Sequence, residues 1–349
     1  MKIMIDQKRL ANLFENFVKK NNLPRTILKV EDKDRQELLA FEHGEISGQS
    51  PFVLASVSKL FTTSLILQLI DEEKLTYDSR ITQFIPLEEI AGIHKFDRED
   101  YTGELTVQDL LFQKSGLPNV FYESPIELRK RVAREDFSFE FADLIDWLRQ
   151  MDSHFIPASS SSYYADINFV LLGRIAEKIT HKSFDDLVDQ RICRPLNLMN
   201  TFIASSEFAA IPALFTGKEY LKRPKLISSG SAAGGGVSTA DDLMTFIHAF
   251  IKGDLFSISH WQYLREYYPL QADYAPVYYG GGHMKLMIGQ YDNAERLSLI
   301  GHSGLSGAFA FYCPQFDLYF SGTTDNARAS QLCIQLLYLI LLEIESELK

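Results

Sequence analysis

The sequence places a serine three residues before a lysine, at the start of an apolar stretch. Ser56 and Lys59 lie in "FVLASVSKLFTTSLILQLI", which begins at Phe52. Hydroxyl and ammonium groups are costly to bury unless they are hydrogen-bonded or paired. Residues three apart share a helix face, so the Lys59 amine can approach the Ser56 hydroxyl. The pair is typical of a nucleophilic serine. The free N–H groups at the start of a helix can stabilise the oxyanion that forms on the attacked carbonyl.

The same pair also has a purely structural interpretation. Ser56 could cap the helix while the lysine extends to the surface. A second Ser-x-x-Lys pair occurs at Ser346 and Lys349. It lies at the C-terminus, whereas the first pair opens a buried helix that we predict from Val57 to Glu73. Further residues are therefore needed before the motif indicates catalysis.

Two later segments carry a tyrosine, an aspartate and a histidine at the edges of predicted elements. Tyr164 and Asp166 precede the periodic helix pattern "INFVLLGRIAEKI", where Asp166 is placed to act as the N-cap. His302, Ser303 and Gly304 end a predicted strand, and glycines here allow the close backbone approach that a substrate groove requires. Each residue alone also fits an ordinary role: a helix cap, a packed aromatic ring, or a turn histidine with one backbone hydrogen bond.

Together and in this order, the three segments resemble the active-site motifs of the serine β-lactamase and penicillin-binding-protein superfamily. The segments are Ser56-Val57-Ser58-Lys59, Tyr164-Ala165-Asp166 and His302-Ser303-Gly304. The resemblance is to the class C-like branch, which includes D-alanyl-D-alanine carboxypeptidases, D-aminopeptidases and esterases. "LTVQDLLFQKSGLP", "RICRPLNLMNT" and "SAAGGGVSTADDLMTF" are similar to further segments of that branch, so the likeness spans about residues 52–311.

The resemblance implies a serine hydrolase that cleaves a small amide or ester through an acyl-enzyme, with Ser56 as the nucleophile. Lys59 or Tyr164 would accept its proton, and His302 would hold the Tyr164 hydroxyl and pass protons. The oxyanion hole would use the N–H groups of Ser56 and of Leu305, which we expect on a strand. The residues expected to contact the substrate are Asp166, Ser303, Gly304 and Leu305.

Asp166 departs from the family pattern, in which an asparagine usually ends this motif. An ionised aspartate only accepts hydrogen bonds, and its negative charge beside Lys59 would favour the ammonium form. We therefore expect Tyr164 to be the main proton acceptor. The charge would also repel the carbonyl of a β-lactam or peptide side chain that an asparagine could hold. This argues against efficient penicillin hydrolysis.

The elements around these motifs predict an α+β fold of the β-lactamase/transpeptidase type. We expect an antiparallel sheet flanked by N- and C-terminal helices, with an inserted, mostly helical subdomain. Strand patterns lie near both termini, and helical patterns dominate between about residues 77 and 201. Residues 1–75 and 235–349 would form the sheet-and-helix subdomain and residues 76–234 the insert. The strand patterns are "RTILKVED", "ELLAFEHG", "HMKLMIGQY", "RLSLIGHSG", "GAFAFYCP" and "DLYFSGTT".

Composition argues against several other classes of protein. The 349 residues are 46% hydrophobic and carry a formal net charge of −11, so we expect a large core and no nucleic-acid partner. The eight histidines show no H-E-x-x-H spacing, and no Lys-Ser/Thr follows the glycine runs, so we expect neither metal nor cofactor. The N-terminus shows no secretory signal and no apolar run is long enough to span a membrane, which favours a cytoplasmic protein. Oligomeric state is not indicated.

Other functions stay open from the sequence. A carboxylesterase of the same family and a penicillin-binding or sensing module without efficient turnover both fit the motifs. The joint presence of Ser56, Lys59, Tyr164 and His302 favours an enzyme. A chymotrypsin-type triad is weaker, because His302 and Ser303 are adjacent and "GHSGL" does not match G-x-S-x-G.

Overall fold

The computed structural model describes residues 6–204, 210–270, 277–288 and 297–348. Residues 289–291 and 296, which belong to two of the predicted strand patterns, lie outside this part of the chain. The helices are α1 (Gln7–Lys20), α2 (Ser58–Asp71), α3 (Leu87–Ile90), α4 (Val107–Leu111), α5 (Val120–Glu123), α6 (Leu128–Arg134), α7 (Phe141–Leu148), α8 (Ile167–Thr180), α9 (Phe184–Val188), α10 (Arg194–Leu196), α11 (Pro224–Gly234), α12 (Ala240–Lys252), α13 (Trp261–Leu264) and α14 (Leu332–Leu348).

Short helical turns and the strands complete the described secondary structure. The 3₁₀ turns are Ala55–Val57, Ile81–Gln83, Thr102–Glu104 and Ile258–His260, and Asp189–Cys193 is a π-helical turn. The strands are β1 (Thr26–Asp32), β2 (Glu37–His43), β3 (Phe52–Val53), β4 (Lys95–Phe96), β5 (Glu99–Asp100), β6 (Phe202–Ile203), β7 (Leu214–Phe215), β8 (Tyr220–Leu221), β9 (Gly236–Ser238), β10 (Tyr268–Pro269), β11 (Val277–Tyr279), β12 (Met284–Ile288), β13 (Leu297–Ser303), β14 (Ala308–Cys313) and β15 (Leu318–Thr323).

The main sheet takes strands from both ends of the chain. Its order is β10-β11-β12-β13-β14-β15-β1-β2, and every neighbouring pair is antiparallel. The C-terminal strands form the predicted meander, and the N-terminal hairpin joins it through β1, where Leu28 pairs with Gly322. A separate small sheet has the order β3-β9-β6. The prediction of an α+β fold with an antiparallel sheet is confirmed.

Side chains on the two faces of the sheet enter different cores. In β14, Ala308 and Ala310 face the core that contains α2, α8 and α12, whereas Phe309 and Phe311 face the core formed with α1 and α14. This follows from the two-residue period of a strand. Because both faces are covered, the central strands are apolar throughout rather than alternating. His302 pairs with Ala310 and therefore shares the face that packs towards α2.

Helix α2 lies in the centre of the molecule and is buried around most of its circumference. Its polar side chains are satisfied by carbonyl oxygens: the Thr62 hydroxyl donates to Ala232 at 2.6 Å, and the Ser64 hydroxyl donates to Leu60 at 2.9 Å. Buried hydroxyls would otherwise be costly. The surrounding core includes residues from both predicted subdomains, among them Leu144 and Tyr319. The division at residues 75/76 and 234/235 stays a prediction.

The end of β13 closely approaches the segment that precedes α2. A Cβ atom added to Gly304 would lie 2.1 Å from the carbonyl oxygen of Leu54, which is far inside van der Waals contact. Only glycine permits this approach without moving one of the two backbones. The end of β13 is thereby held beside Ser56.

Within the described ranges, no helix is both long enough and sufficiently apolar to cross a bilayer.

We expect Phe246→Ala to lower the free energy of unfolding by about 3–5 kcal/mol, because it empties a buried site against α2. Phe246 of α12 stacks on Phe61 of α2 with ring centroids 3.8 Å apart. Urea denaturation followed by circular dichroism measures the change. Phe316→Ala is the matched control, since Phe316 is only half-buried in the turn between β14 and β15. Equal losses in the two variants would contradict the packing described here.

Candidate active site

Ser56 lies in the 3₁₀ turn Ala55–Val57, between β3 and the first residue of α2. The preceding residue, Ala55, has a φ of 47°, a left-handed conformation that costs a residue with a Cβ of order 1–3 kcal/mol. Strand β9 holds the turn in place: Leu54 N–H donates to the Gly236 carbonyl at 2.8 Å, and Gly236 N–H donates to Ser58 Oγ at 2.9 Å. Ser58 is therefore structural, whereas Ser56 is partly exposed at the start of α2.

Lys59 is completely buried one helical turn after Ser56. Its Nζ lies 3.0 Å from Ser56 Oγ, 2.6 Å from Asp166 Oδ1 and 2.7 Å from the Ala233 carbonyl oxygen. Burial lowers the pKa of Lys59, and the Asp166 carboxylate opposes this effect without cancelling it. The three contacts fit either protonation state. An ammonium donates to all three oxygens, whereas a neutral amine donates to two and accepts from the serine hydroxyl.

Asp166 does not use its side chain as the predicted helix cap. It occupies the N-cap position of α8, but its carboxylate makes no capping hydrogen bond. The physical reason is its backbone, with φ −61° and ψ −31°, because capping side chains normally need an extended N-cap. The carboxylate instead contacts Lys59 and is 33% exposed. The sequence placed Asp166 correctly at the helix start and wrongly assigned its hydrogen bond.

Tyr164 lies in the loop before α8, and its ring is 5.1 Å from Lys59 Nζ. Its hydroxyl is buried near the Ser56 hydroxyl and makes no hydrogen bond of good geometry among the described residues. Burial and then the Asp166 charge raise the pKa of Tyr164 well above its ordinary value. The phenol is therefore neutral at ordinary pH. These charges oppose the expectation that Tyr164 is the main proton acceptor, since the same carboxylate that favours an ammonium destabilises a phenolate.

His302 is buried at the end of β13 and contacts Tyr279 rather than the Tyr164 hydroxyl. Its Nδ1 lies 2.7 Å from the Ser303 carbonyl oxygen, so Nδ1 carries the proton, and its Nε2 faces the Tyr279 hydroxyl at 3.4 Å. Both nitrogens are thus engaged, and among the described residues His302 does not make the expected hydrogen bond to the Tyr164 hydroxyl. Burial and then the nearby Lys59 lower the pKa of His302 to about 3, so the imidazole is neutral.

Two buried amides that the sequence analysis did not select position the Tyr164 loop. The Gln113 side-chain oxygen accepts from Ala165 N–H at 2.9 Å, and its backbone carbonyl accepts from Tyr163 N–H at 2.8 Å. Asn119 Nδ2 donates to the Tyr164 carbonyl at 3.1 Å. Both amides belong to the segment around Ser-Gly-Leu-Pro, so buried polar residues beside that turn were the signal that could have identified them.

Two cavities adjoin Ser56 and share Tyr122, Tyr164 and Leu305. Ser303 and Gly304 line the larger cavity, of about 450 Å³, and Asp166 lines the smaller one, of about 200 Å³. Leu305 lies in the turn after β13 and not on a strand as expected; it is 38% exposed. Its N–H has no acceptor among the described residues. Seven of the eight predicted positions therefore line these cavities or contact Ser56, and the ring of His302 lies 6.2 Å from that of Tyr164.

In the part of the chain that the structure describes, no three histidine, cysteine, aspartate or glutamate side chains are grouped as metal ligands would be.

Comparison with known proteins gives partial sequence matches and full-length structural ones. A protein of Escherichia coli K12, provisionally named D-alanyl-D-alanine carboxypeptidase, is 31% identical over 151 residues, which are 42% of this chain and 32% of that protein. The N-acetylmuramyl-L-alanine amidase of Bacillus subtilis 168 is 29% identical over 170 residues, 48% of this chain and 36% of that one. The chain thus matches about a third of the length of these curated relatives.

Two solved structures superpose on nearly the whole chain. The D-stereospecific amidohydrolase from a Streptomyces species has a TM-score of 0.77 at 23% identity, covering 95% of this chain and 98% of its own. The D-amino acid amidase from Ochrobactrum anthropi SV3 has a TM-score of 0.78 at 17% identity, covering 98% and 99%. At these identities the likeness shows the fold.

The family model named Beta-lactamase matches residues 10–327, which contain every segment that carried the resemblance. The matched residues include Ser56, Lys59, Tyr164 and His302. The chain belongs to the Beta-lactamase family.

Proposed function

We propose that the protein is a serine hydrolase that cleaves small amides or esters through an acyl-enzyme on Ser56. The observation that carries this proposal is the 3.0 Å contact between Ser56 Oγ and the buried Lys59 amine. A serine becomes a competent nucleophile when a base lies within hydrogen-bonding distance of its hydroxyl. The names of the matched amidase and amidohydrolases support an amide as the substrate of this chain as well.

Lys59 takes the proton from Ser56 in the proposed mechanism. The carboxylate of Asp166 and the carbonyl of Ala233 accept two N–H bonds, which directs the lone pair of a neutral amine to the Ser56 hydroxyl. Ser56 Oγ then attacks the substrate carbonyl. The oxyanion is stabilised by the N–H groups of Ser56 and Leu305, the latter being without another acceptor in the described part of the chain.

Tyr164 acts as a neutral relay. Its buried hydroxyl lies close to Ser56 and passes the proton from Lys59 to the leaving group, so that the amine or alcohol departs uncharged. Water then attacks the acyl-enzyme and the same groups act in reverse order. His302 acts through Tyr279, whose ring lies 6.0 Å from that of Tyr164, and is a positioning residue. Ser303 and Gly304 present the end of β13 to the substrate.

Two broader predictions are kept as part of this proposal. The nucleophile would belong to the sheet-and-helix subdomain of residues 1–75 and 235–349, and Tyr164 to the insert of residues 76–234. A cytoplasmic location is supported by three cysteines that are buried and unpaired.

We expect Ser56→Ala to lower kcat/KM for p-nitrophenyl acetate by at least about 10³-fold, because within the described ranges Ser56 carries the one hydroxyl in contact with the Lys59 amine. Mass spectrometry of the quenched reaction checks the result and should find the acetyl adduct on Ser56. Ser346→Ala, in the second Ser-x-x-Lys pair, is the matched control; its partner Lys349 lies outside the described residues. A single stoichiometric burst with a fluorescent penicillin, with no ester turnover, would favour the penicillin-binding module instead.

We expect Asp166→Asn to move the acidic limb of the pH profile of kcat/KM to lower pH. The active form has a neutral Lys59, so the rate rises as the ammonium loses its proton. The Asp166 charge raises the pKa of Lys59, and removing it therefore lowers that pKa and the limb with it. The profile is measured with an uncharged ester. Asp254→Asn, an exposed carboxylate far along the chain, should leave the limb in place. An unmoved or raised limb in Asp166→Asn would contradict Lys59 as the base.

We expect Tyr164→Phe to lower kcat by about 10²–10⁴-fold, the usual contribution of a positioned proton donor. The loss should be smaller for p-nitrophenyl esters than for anilides, because p-nitrophenolate leaves without a proton. Tyr163→Phe is the matched control, since the Tyr163 hydroxyl donates to Glu123 at 2.7 Å. Equal losses for ester and anilide would show that Tyr164 does not protonate the leaving group.

A further inference from the structure

The smaller cavity beside Ser56 is apolar and has the size of one side chain. Its volume is about 200 Å³, and its walls come from several elements of the helical part of the chain. An apolar cavity of about 150 Å³ is enough to hold a benzene ring. One aromatic or branched aliphatic group therefore fits beside the reacting carbonyl. Wall residues include Phe121, Phe139, Leu144, Val170, Leu226 and Ile227.

Asp166, in the wall of the smaller cavity, is the one charged side chain among the described residues that line the two cavities. Among the described residues that line either one, no lysine or arginine occurs and no second carboxylate. Arg328 follows the wall residue Ala327, but it is exposed and its Cδ lies beside Gly217. A substrate carboxylate in either cavity would be desolvated without a cation, which is costly. The net charge of −11 would also repel an anionic substrate from a distance.

The Asp166 carboxylate can accept further hydrogen bonds from a group bound in the smaller cavity, whose wall it forms in part. Lys59 is its only hydrogen-bond partner among the described residues, through Oδ1, whereas a carboxylate can accept about four hydrogen bonds. The side chain is 33% exposed. Asp166 and Ser56 each contact the same Nζ, so the carboxylate lies at most two hydrogen-bond lengths from the attacking oxygen. A cation two bonds from the scissile carbonyl carbon is close enough to the attacked carbon to reach Asp166 within that limit.

We infer that the substrate is an α-amino acid amide or ester with an apolar side chain and an uncharged leaving group. The side chain occupies the smaller cavity, and the α-ammonium donates to Asp166. This inference rests on the proposed function and adds the substrate class to it. The departing group carries no carboxylate, because nothing charged positively lines the larger cavity in the described chain.

The experiment compares anilides in pairs that differ in one group. The first pair is phenylalanine p-nitroanilide, as both enantiomers, and 3-phenylpropionic acid p-nitroanilide, which lacks the amino group. The second pair is the phenylalanine anilide of 4-aminobenzoic acid, whose leaving group carries a carboxylate, and the anilide of its uncharged methyl ester. A charge-assisted hydrogen bond is worth about 10- to 100-fold. We expect kcat/KM for the better phenylalanine enantiomer to exceed that of the desamino probe by this factor, and the carboxylate probe to be slower than its methyl ester.

Two variants separate the ammonium from the side chain. Asp166→Asn should bring the ratio of the amino to the desamino probe close to one; the ratio is informative because any change at Lys59 affects both probes alike. Val170→Phe, one helical turn after Asp166 on α8, fills the cavity and should lower the ratio of phenylalanine to alanine p-nitroanilide by about tenfold or more.

Equal rates with and without the amino group, an unchanged ratio in Asp166→Asn, or a preference for the carboxylate probe would overturn the inference. Each of these results leaves the serine hydrolase intact, provided p-nitrophenyl acetate still acylates Ser56. Absence of an adduct on Ser56 with every ester and anilide would instead overturn the proposed function and the inference together.

Discussion

The buried amine of Lys59 is the constraint on which the site depends. An amine without solvent needs partners, and an unpaired buried ammonium costs several kcal/mol. Its three contacts come from three parts of the chain: Ser56 from the turn before α2, Asp166 from the start of α8, and Ala233 from the end of α11. Displacement of any one leaves the amine incompletely hydrogen-bonded. The hydrogen bonds of Lys59 therefore also place the Ser56 hydroxyl and the Asp166 carboxylate.

The end of α11 shows how the backbone supplies one of these partners. Ser231 has a φ of 35° inside α11, so the helix kinks there. The carbonyls of Ala232 and Ala233 then face α2, where they accept from the Thr62 hydroxyl and from Lys59. Carbonyls in the last turn of a helix have no partner within the helix. A local distortion thus supplies the acceptors that a buried hydroxyl and a buried amine require.

Sequence patterns were informative wherever a local period or turn decided the structure. The meander, the central helix and the motif residues were predicted, and Asn197, which replaces a glycine of the resembled segment, has a φ of 55° that asparagine tolerates. Long-range contacts were not predictable. The Tyr279 hydroxyl lies 23 residues from His302, and the Ala233 carbonyl is a backbone group without a side-chain signature. The hydrogen-bond partner of the Asp166 side chain depended on the backbone angles of that residue, which the sequence does not specify.

One carboxylate at this position affects both the chemistry and the choice of substrate. Asp166 favours the protonated form of Lys59 and disfavours the phenolate of Tyr164, which supports the amine as the proposed acceptor of the serine proton. The same carboxylate lines an apolar cavity whose walls include Phe121 of α5 and Leu144 of α7. These two helices carry none of the hydrogen-bond partners of the Lys59 amine, so we expect substitutions there to alter the substrate without displacing Ser56 or Lys59. Asp166 is the residue at which these two sets of constraints meet.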